Sequence, residues 1–249
     1  MANNGIVQYY DLLRVESKND AFISTYSSMY LKGNPCLVPH VQQTDEKVEN
    51  WILSIASKDK WNLRDVFNII AWKTGKIKLE NKGNPYSKVE DLEYASGCDP
   101  DGMTITAYSC FPIRCLAEYI VENLPDLREK AKKGCGIEAF KMIADKADSC
   151  KLDKFGTVYI LTLLFFLSER EQPIYDTFVM RSLFAFDNDV KPGSRIKGME
   201  AVPGREETEK VKNFYLKFKE KLYNRFGDGY KTDRKIDRAL WVYGHYFKA

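Results

Sequence analysis

Residues 152–183 read LDKFGTVYILTLLFFLSEREQPIYDTFVMRSL, and this stretch decides the fold. Cys150 to Lys154 has the composition of a short loop. From Thr157 to Leu167 nearly every side chain is apolar, so no amphipathic stripe exists. A helix that is apolar all round belongs in the middle of a bundle. The run is too short to cross the ~30 Å of hydrocarbon in a bilayer. A polar turn follows. Pro173 and Asp176 then open another helix running through Phe186, with Asp176 as a good N-cap.

Working outward, the flanking text is also helical. From Asp45, Val48, Trp51, Ile52 and Ile55 fall on one helical face. Asn62 caps a helix ending at Lys73, with Gly75 as its stop. Pro112 suits the first turn of a helix ending before Pro125. Short helices follow at 126–132 and 137–147. A long helix from Glu206 carries Val211, Phe214, Tyr215, Phe218, Leu222 and Phe226 on one stripe, and Gly227 and Gly229 end it. Thr232 caps a last helix with Ile236, Leu240, Tyr243 and Phe247 in register. Residues 80–108 are rich in Asn, Gly, Pro and Asp, which predicts a long connection with a small irregular or β element within 80–110. Residues 187–204 read as a loop, and the first forty residues carry no decisive period. The expected class is mostly α, with eight to ten helices. The chain is expected to form a single globular unit over 1–249, subdivided if at all into 1–110 and 111–249.

Composition narrows the function. The chain has 249 residues, 44 % apolar and 29 % charged, which excludes a disordered, collagen-like or disulfide-scaffold protein. The N-terminus shows no basic region followed by an apolar block, so no secretory leader is expected. The six cysteines include no CxxC pair and only two histidines accompany them, so neither a zinc site nor an iron–sulfur set is expected. Reduced thiols, a cytoplasmic setting and no metal or cofactor are the resulting expectations. Net charge is only +3, yet it is unevenly placed: −2 over the first 204 residues and +5 over the last 45. Lys210, Lys212, Lys217, Lys219, Lys221, Arg225, Lys231, Arg234, Lys235 and Arg238 are candidates for a phosphate-facing strip.

The quoted stretch resembles the helix-hairpin-helix DNA glycosylase superfamily, in particular its 8-oxoguanine glycosylase-like branch. The hairpin counterpart is Leu152-Asp153-Lys154-Phe155-Gly156-Thr157-Val158, and Pro173-Ile174-Tyr175-Asp176-Thr177 matches the family's aspartate–threonine motif. Asp176 stands eighteen residues after Val158, the spacing between the family's hairpin lysine position and its aspartate. Trp72-Lys73 and the closing ALWVYG of residues 239–244 are similar to bacterial proteins of that fold. The resemblance implies DNA, duplex or single-stranded, as partner. It implies Asp176 as the catalytic carboxylate and Lys154, Gly156, Thr157 and Val158 as the phosphate-binding turn. It makes Arg181, Lys235 and Arg238 candidates for contacts to the DNA backbone.

Three departures qualify the implied chemistry. Lys154 replaces the first hairpin glycine. Phe178 replaces a histidine that often follows the aspartate–threonine pair. Val158 occupies the lysine nucleophile position and cannot form a Schiff base, so the resemblance implies a single-function glycosylase without strand cleavage. Two other readings stand beside it: a non-catalytic DNA-binding module of the same fold, in which Asp176 is only a helix cap, and a helical protein-interaction domain. Trp51, Trp72 and Trp241 sit among apolar neighbours and are expected in the core rather than stacked on bases.

Overall fold

A computed structural model describes residues 19–30, 46–79, 92–94, 96–106 and 110–248. Within them the chain is mostly α with small β elements. In chain order the helices are α1 (Asn19–Tyr30), α2 (Glu46–Ser54), α3 (Leu63–Lys73), α4 (Arg114–Glu122), α5 (Leu124–Lys132) and α6 (Ile137–Ser149). They continue as α7 (Thr157–Leu167), α8 (Thr177–Asp187), α9 (Thr208–Phe226), the single turn α10 (Gly229–Thr232) and α11 (Arg234–Gly244). The strands are β1 (Ile77–Leu79), β2 (Leu92–Tyr94), β3 (Cys98–Asp99), β4 (Thr104–Thr106) and β5 (Cys110–Pro112). They form an antiparallel β1–β2 pair and an antiparallel β3–β4–β5 sheet. Among the described residues no helix is long and apolar enough to cross a membrane.

The described chain forms two compact units, and their division does not fall near residue 110. The central unit holds residues 46–174 and Val202–Leu216; the terminal unit holds α1, Tyr175–Ala201 and the chain from Lys217.

In the central unit α7 is the buried axis. Ile160, Leu161, Leu163, Leu164, Phe166 and Leu167 are all buried, and α3, α5 and α6 pack around them. Each such side chain contributes about 1.5–3 kcal/mol by leaving water, which outweighs the modest helix propensity of its branched and aromatic residues. Trp72 of α3 is 7 % exposed and meets Phe166 edge-on at 5.9 Å, as expected for a core tryptophan. Asn62 and Asp65 close a reciprocal capping box that starts α3. Pro112 departs from expectation: it ends β5, and α4 starts two residues later. Its fixed φ suits the strand end as well as a helix start.

The expectation of free thiols fails at one pair. Cys115 near the start of α4 and Cys150 at the end of α6 are joined in a disulfide across 35 residues of sequence. Only the folding of α4 against α6 brings them together, so spacing gave no sign of it. Closing a loop of that length restricts the unfolded chain by about 3–4 kcal/mol. Replacing both with serine is expected to lower the unfolding free energy by about 3 kcal/mol. An unchanged urea midpoint contradicts that role.

In the terminal unit α11 packs on α1 and α8. Ile236, Ala239, Leu240 and Tyr243 make its buried stripe, and Tyr243 meets Phe22 and Tyr26 edge-on at 5.5 and 5.2 Å. Asp233 caps α11 by accepting from the Lys235 N–H at 2.8 Å, one residue beyond the expected Thr232. At the other end Gly244 lies against the first turn of α8. A Cβ there would stand 1.9 Å from the carbonyl oxygen of Phe178. Backbone cannot yield as a side chain does, so Gly244→Ala is expected to destabilise by at least about 2 kcal/mol. A thermal midpoint equal to wild type contradicts this close approach.

Candidate functional site

The Leu152–Val158 turn belongs to the central unit. Leu152 and Phe155 are buried, only 2 % and 0 % exposed, while Asp153 and Lys154 between them are exposed. Apolar anchors at both ends and a Phe155 N–H donating to the Leu152 carbonyl at 2.9 Å close the turn. Gly156 is the N-cap of α7 with φ −82° and ψ −179°, a conformation open to any residue. A Cβ at Gly156 would meet nothing within 4 Å. Neither backbone strain nor packing therefore demands glycine here; its absent side chain leaves open space over the start of α7. No side chain caps the first amides of α7, which carry the positive end of the helix dipole.

Arg205 fixes this turn, and sequence reasoning missed it. Its side chain is only 7 % exposed, and the guanidinium donates to the carbonyls of Leu152 and Phe155, each at 2.5 Å, and to Asp148 at the end of α6. The Thr157 hydroxyl donates to the Pro203 carbonyl at 2.7 Å. Residues 203–205 thus strap the turn from behind and satisfy its carbonyls. Val158 is half-buried at the first turn of α7. Lys151 and Lys154 stand exposed at the turn, and neither is ion-paired among the described residues.

Asp176 belongs to the terminal unit. It is half-buried and caps α8, its carboxylate accepting from the Phe178 N–H at 2.8 Å. Tyr175 beside it is fully buried and packs edge-on against Phe218 at 5.1 Å. Burial pushes the Tyr175 phenol well above its ordinary pKa, and the Asp176 carboxylate adds to the shift. Phe178, at the position where the resembled family often has histidine, stacks on His245 with ring centroids 3.4 Å apart. Arg181 lies 4.8 Å over the Phe178 ring. Trp241 is half-buried and meets His245 at 4.0 Å.

The remaining cationic candidates fare unequally. Lys235 is exposed on α11. Arg238 is 8 % exposed, with its guanidinium 5.9 Å over the Tyr30 ring inside the unit. Along α9, Lys210, Lys212, Lys217 and Lys221 are ion-paired with Glu207, Glu209, Glu200 and Asp187. Arg234 pairs with Asp237. Five of the ten cations of the expected basic strip are thus paired with carboxylates. Lys231 and the two residues Cys36 and His40 contribute no described side chain. Among the described residues no three His, Cys, Asp or Glu side chains gather as a metal site needs.

No protein-family model, curated protein or solved structure matches this chain.

Proposed function

We propose that the chain is a DNA glycosylase-like protein that excises a modified or damaged base by hydrolysis, without cutting the strand. The observation that carries this reading is the strapped turn at Leu152–Val158. Its carbonyls are bonded inward by Arg205, its glycine leaves open space outside, and the uncapped amides of α7 follow. Backbone N–H groups at a helix start, reached without a side chain in the way, suit a DNA phosphate. Lys151 and Lys154 add positive charge at the same turn.

In this reading Asp176 supplies the chemistry. As the N-glycosidic bond breaks, its electron pair leaves with the base and the sugar becomes oxocarbenium-like. A carboxylate stabilises that charge and accepts a proton from the water whose oxygen joins C1′, and an equivalent proton from solvent neutralises the departed base. The base must first leave the stack. Val158 lacks an amine, so the intermediate stays hydrolytic and no Schiff base forms. The turn and Asp176 lie in different units, and each is tested by its own substitutions.

One observation favours a second reading, a DNA-binding module without catalysis: Asp176 already serves as a helix cap. A panel of duplexes carrying single modified bases separates the two. Release of a free base with an intact, alkali-labile strand supports excision; duplex binding without release across the panel supports the module.

A further inference from the structure

The segment Val190–Gly198, VKPGSRIKG, holds three cations and no acid. In the terminal unit it is an anchored loop. Lys191 to Ser194 closes a turn, with the Ser194 N–H donating to the Lys191 carbonyl at 3.1 Å. Pro192 and Gly193 occupy its centre, and Gly193 takes φ +87°, the pattern of a Pro-Gly type II turn. Gly193 N–H donates to the Tyr246 carbonyl at 2.8 Å. Lys248 then brackets Arg195: its N–H donates to Ser194 and its carbonyl accepts from Ile196, each at 3.0 Å. The two residues form a parallel β-bridge.

This backbone sorts the side chains. In extended chain, successive residues point to opposite faces. Ile196 and Phe247 point inward, only 8 % and 3 % exposed. Arg195, Lys197 and Lys248 therefore share the outer face, and all three are exposed, as is Lys191. Like charges placed directly across a bridge repel and destabilise it. None of the four cations is ion-paired among the described residues. The contrast with Lys210, Lys212, Lys217 and Lys221 of α9, each matched to a carboxylate, is direct.

We propose that Lys191, Arg195, Lys197 and Lys248 form a docking surface for the phosphate backbone of nucleic acid. A polyanion relieves the repulsion that no ion pair among the described residues compensates, and it gains from releasing its own counterions. The inference rests on the reading of the chain as a DNA-binding protein and adds a contact surface separate from the hairpin.

The test uses the full chain, a short undamaged duplex and a series of KCl concentrations. Two variants each lose three positive charges: Lys191→Gln/Arg195→Gln/Lys197→Gln in the loop, and Lys210→Gln/Lys212→Gln/Lys217→Gln among the paired lysines. The loop variant is expected to weaken binding about tenfold or more at low salt and to lower the salt slope by about 2–3, at about 0.9 per phosphate contact. Should that variant unfold, Lys197→Gln alone is expected to lower the slope by about 1. Binding by wild type with loop and paired-lysine variants indistinguishable overturns the docking surface while leaving the DNA reading standing. So does a loop variant that keeps its DNA affinity but loses binding to phosphatidylserine–phosphatidylcholine vesicles. Failure of wild type to bind duplex at any salt overturns both.

Discussion

Asp176→Asn is expected to abolish base excision, by a factor of at least about 10² in rate, while duplex affinity and stability stay near wild type. The substitution is chosen for what it retains. Asparagine is as good an N-cap as aspartate, so the side-chain oxygen still accepts from the Phe178 N–H. What disappears is the negative charge. A neutral amide neither balances an oxocarbenium-like sugar nor takes a proton from water. Asp176→Ala completes the comparison, because it removes charge and cap together and costs about 1 kcal/mol of stability. If Asp176 is catalytic, both variants lose excision and only the alanine variant loses stability. If it is a cap alone, the asparagine variant excises at the wild-type rate.

Arg205→Met is expected to loosen the hairpin and destabilise the chain by about 3–5 kcal/mol, with DNA affinity falling in step. The effect lies chiefly in the two carbonyls. Those of Leu152 and Phe155 lose a buried donor, and an unsatisfied buried acceptor costs about 1–3 kcal/mol each. The Asp148 pair adds less, because the Asp148 side chain is 56 % exposed and solvent screens it. Arg205→Lys keeps the charge without the fork that reaches Asp148, Leu152 and Phe155 together, so it rescues only part of the loss. Hydrogen exchange across 152–158 should accelerate in both variants. Unchanged exchange in the methionine variant contradicts the clamp.

The elements that sequence reveals best here are those whose signal is local. The apolar run of α7 has the expected limits, Thr157–Leu167, and α8 follows its capping Asp176 and ends at Asp187, one residue beyond the expected Phe186. Helix α1 hides in polar text, because its buried stripe is Phe22, Tyr26 and Tyr30 among three serines and Thr25, and its stability comes from packing against α11. The Cys115–Cys150 bond and the Arg205 clamp join distant residues, and no spacing announces either. Charge is instructive in the same way. The pairs Glu207–Lys210 and Glu209–Lys212 are visible at helical spacing, but Glu200 and Asp187 reach Lys217 and Lys221 only through the fold. Among the described residues Lys191, Arg195 and Lys197 have no carboxylate partner, and they lie in a segment legible only as a loop. The turn and the capping role of Asp176 are therefore legible in the sequence, and the Arg205 scaffold that fixes the turn is not.

The central claim is hydrolytic excision, and base release measures it most directly. Duplexes bearing single modified bases are incubated with the wild-type chain, and the supernatant is analysed for free base by mass spectrometry. The strand is analysed before and after alkali. The account predicts a released base from at least one duplex, with the strand intact until alkali cleaves it. Absence of any released base across a broad panel contradicts it, as does a strand cut before alkali treatment.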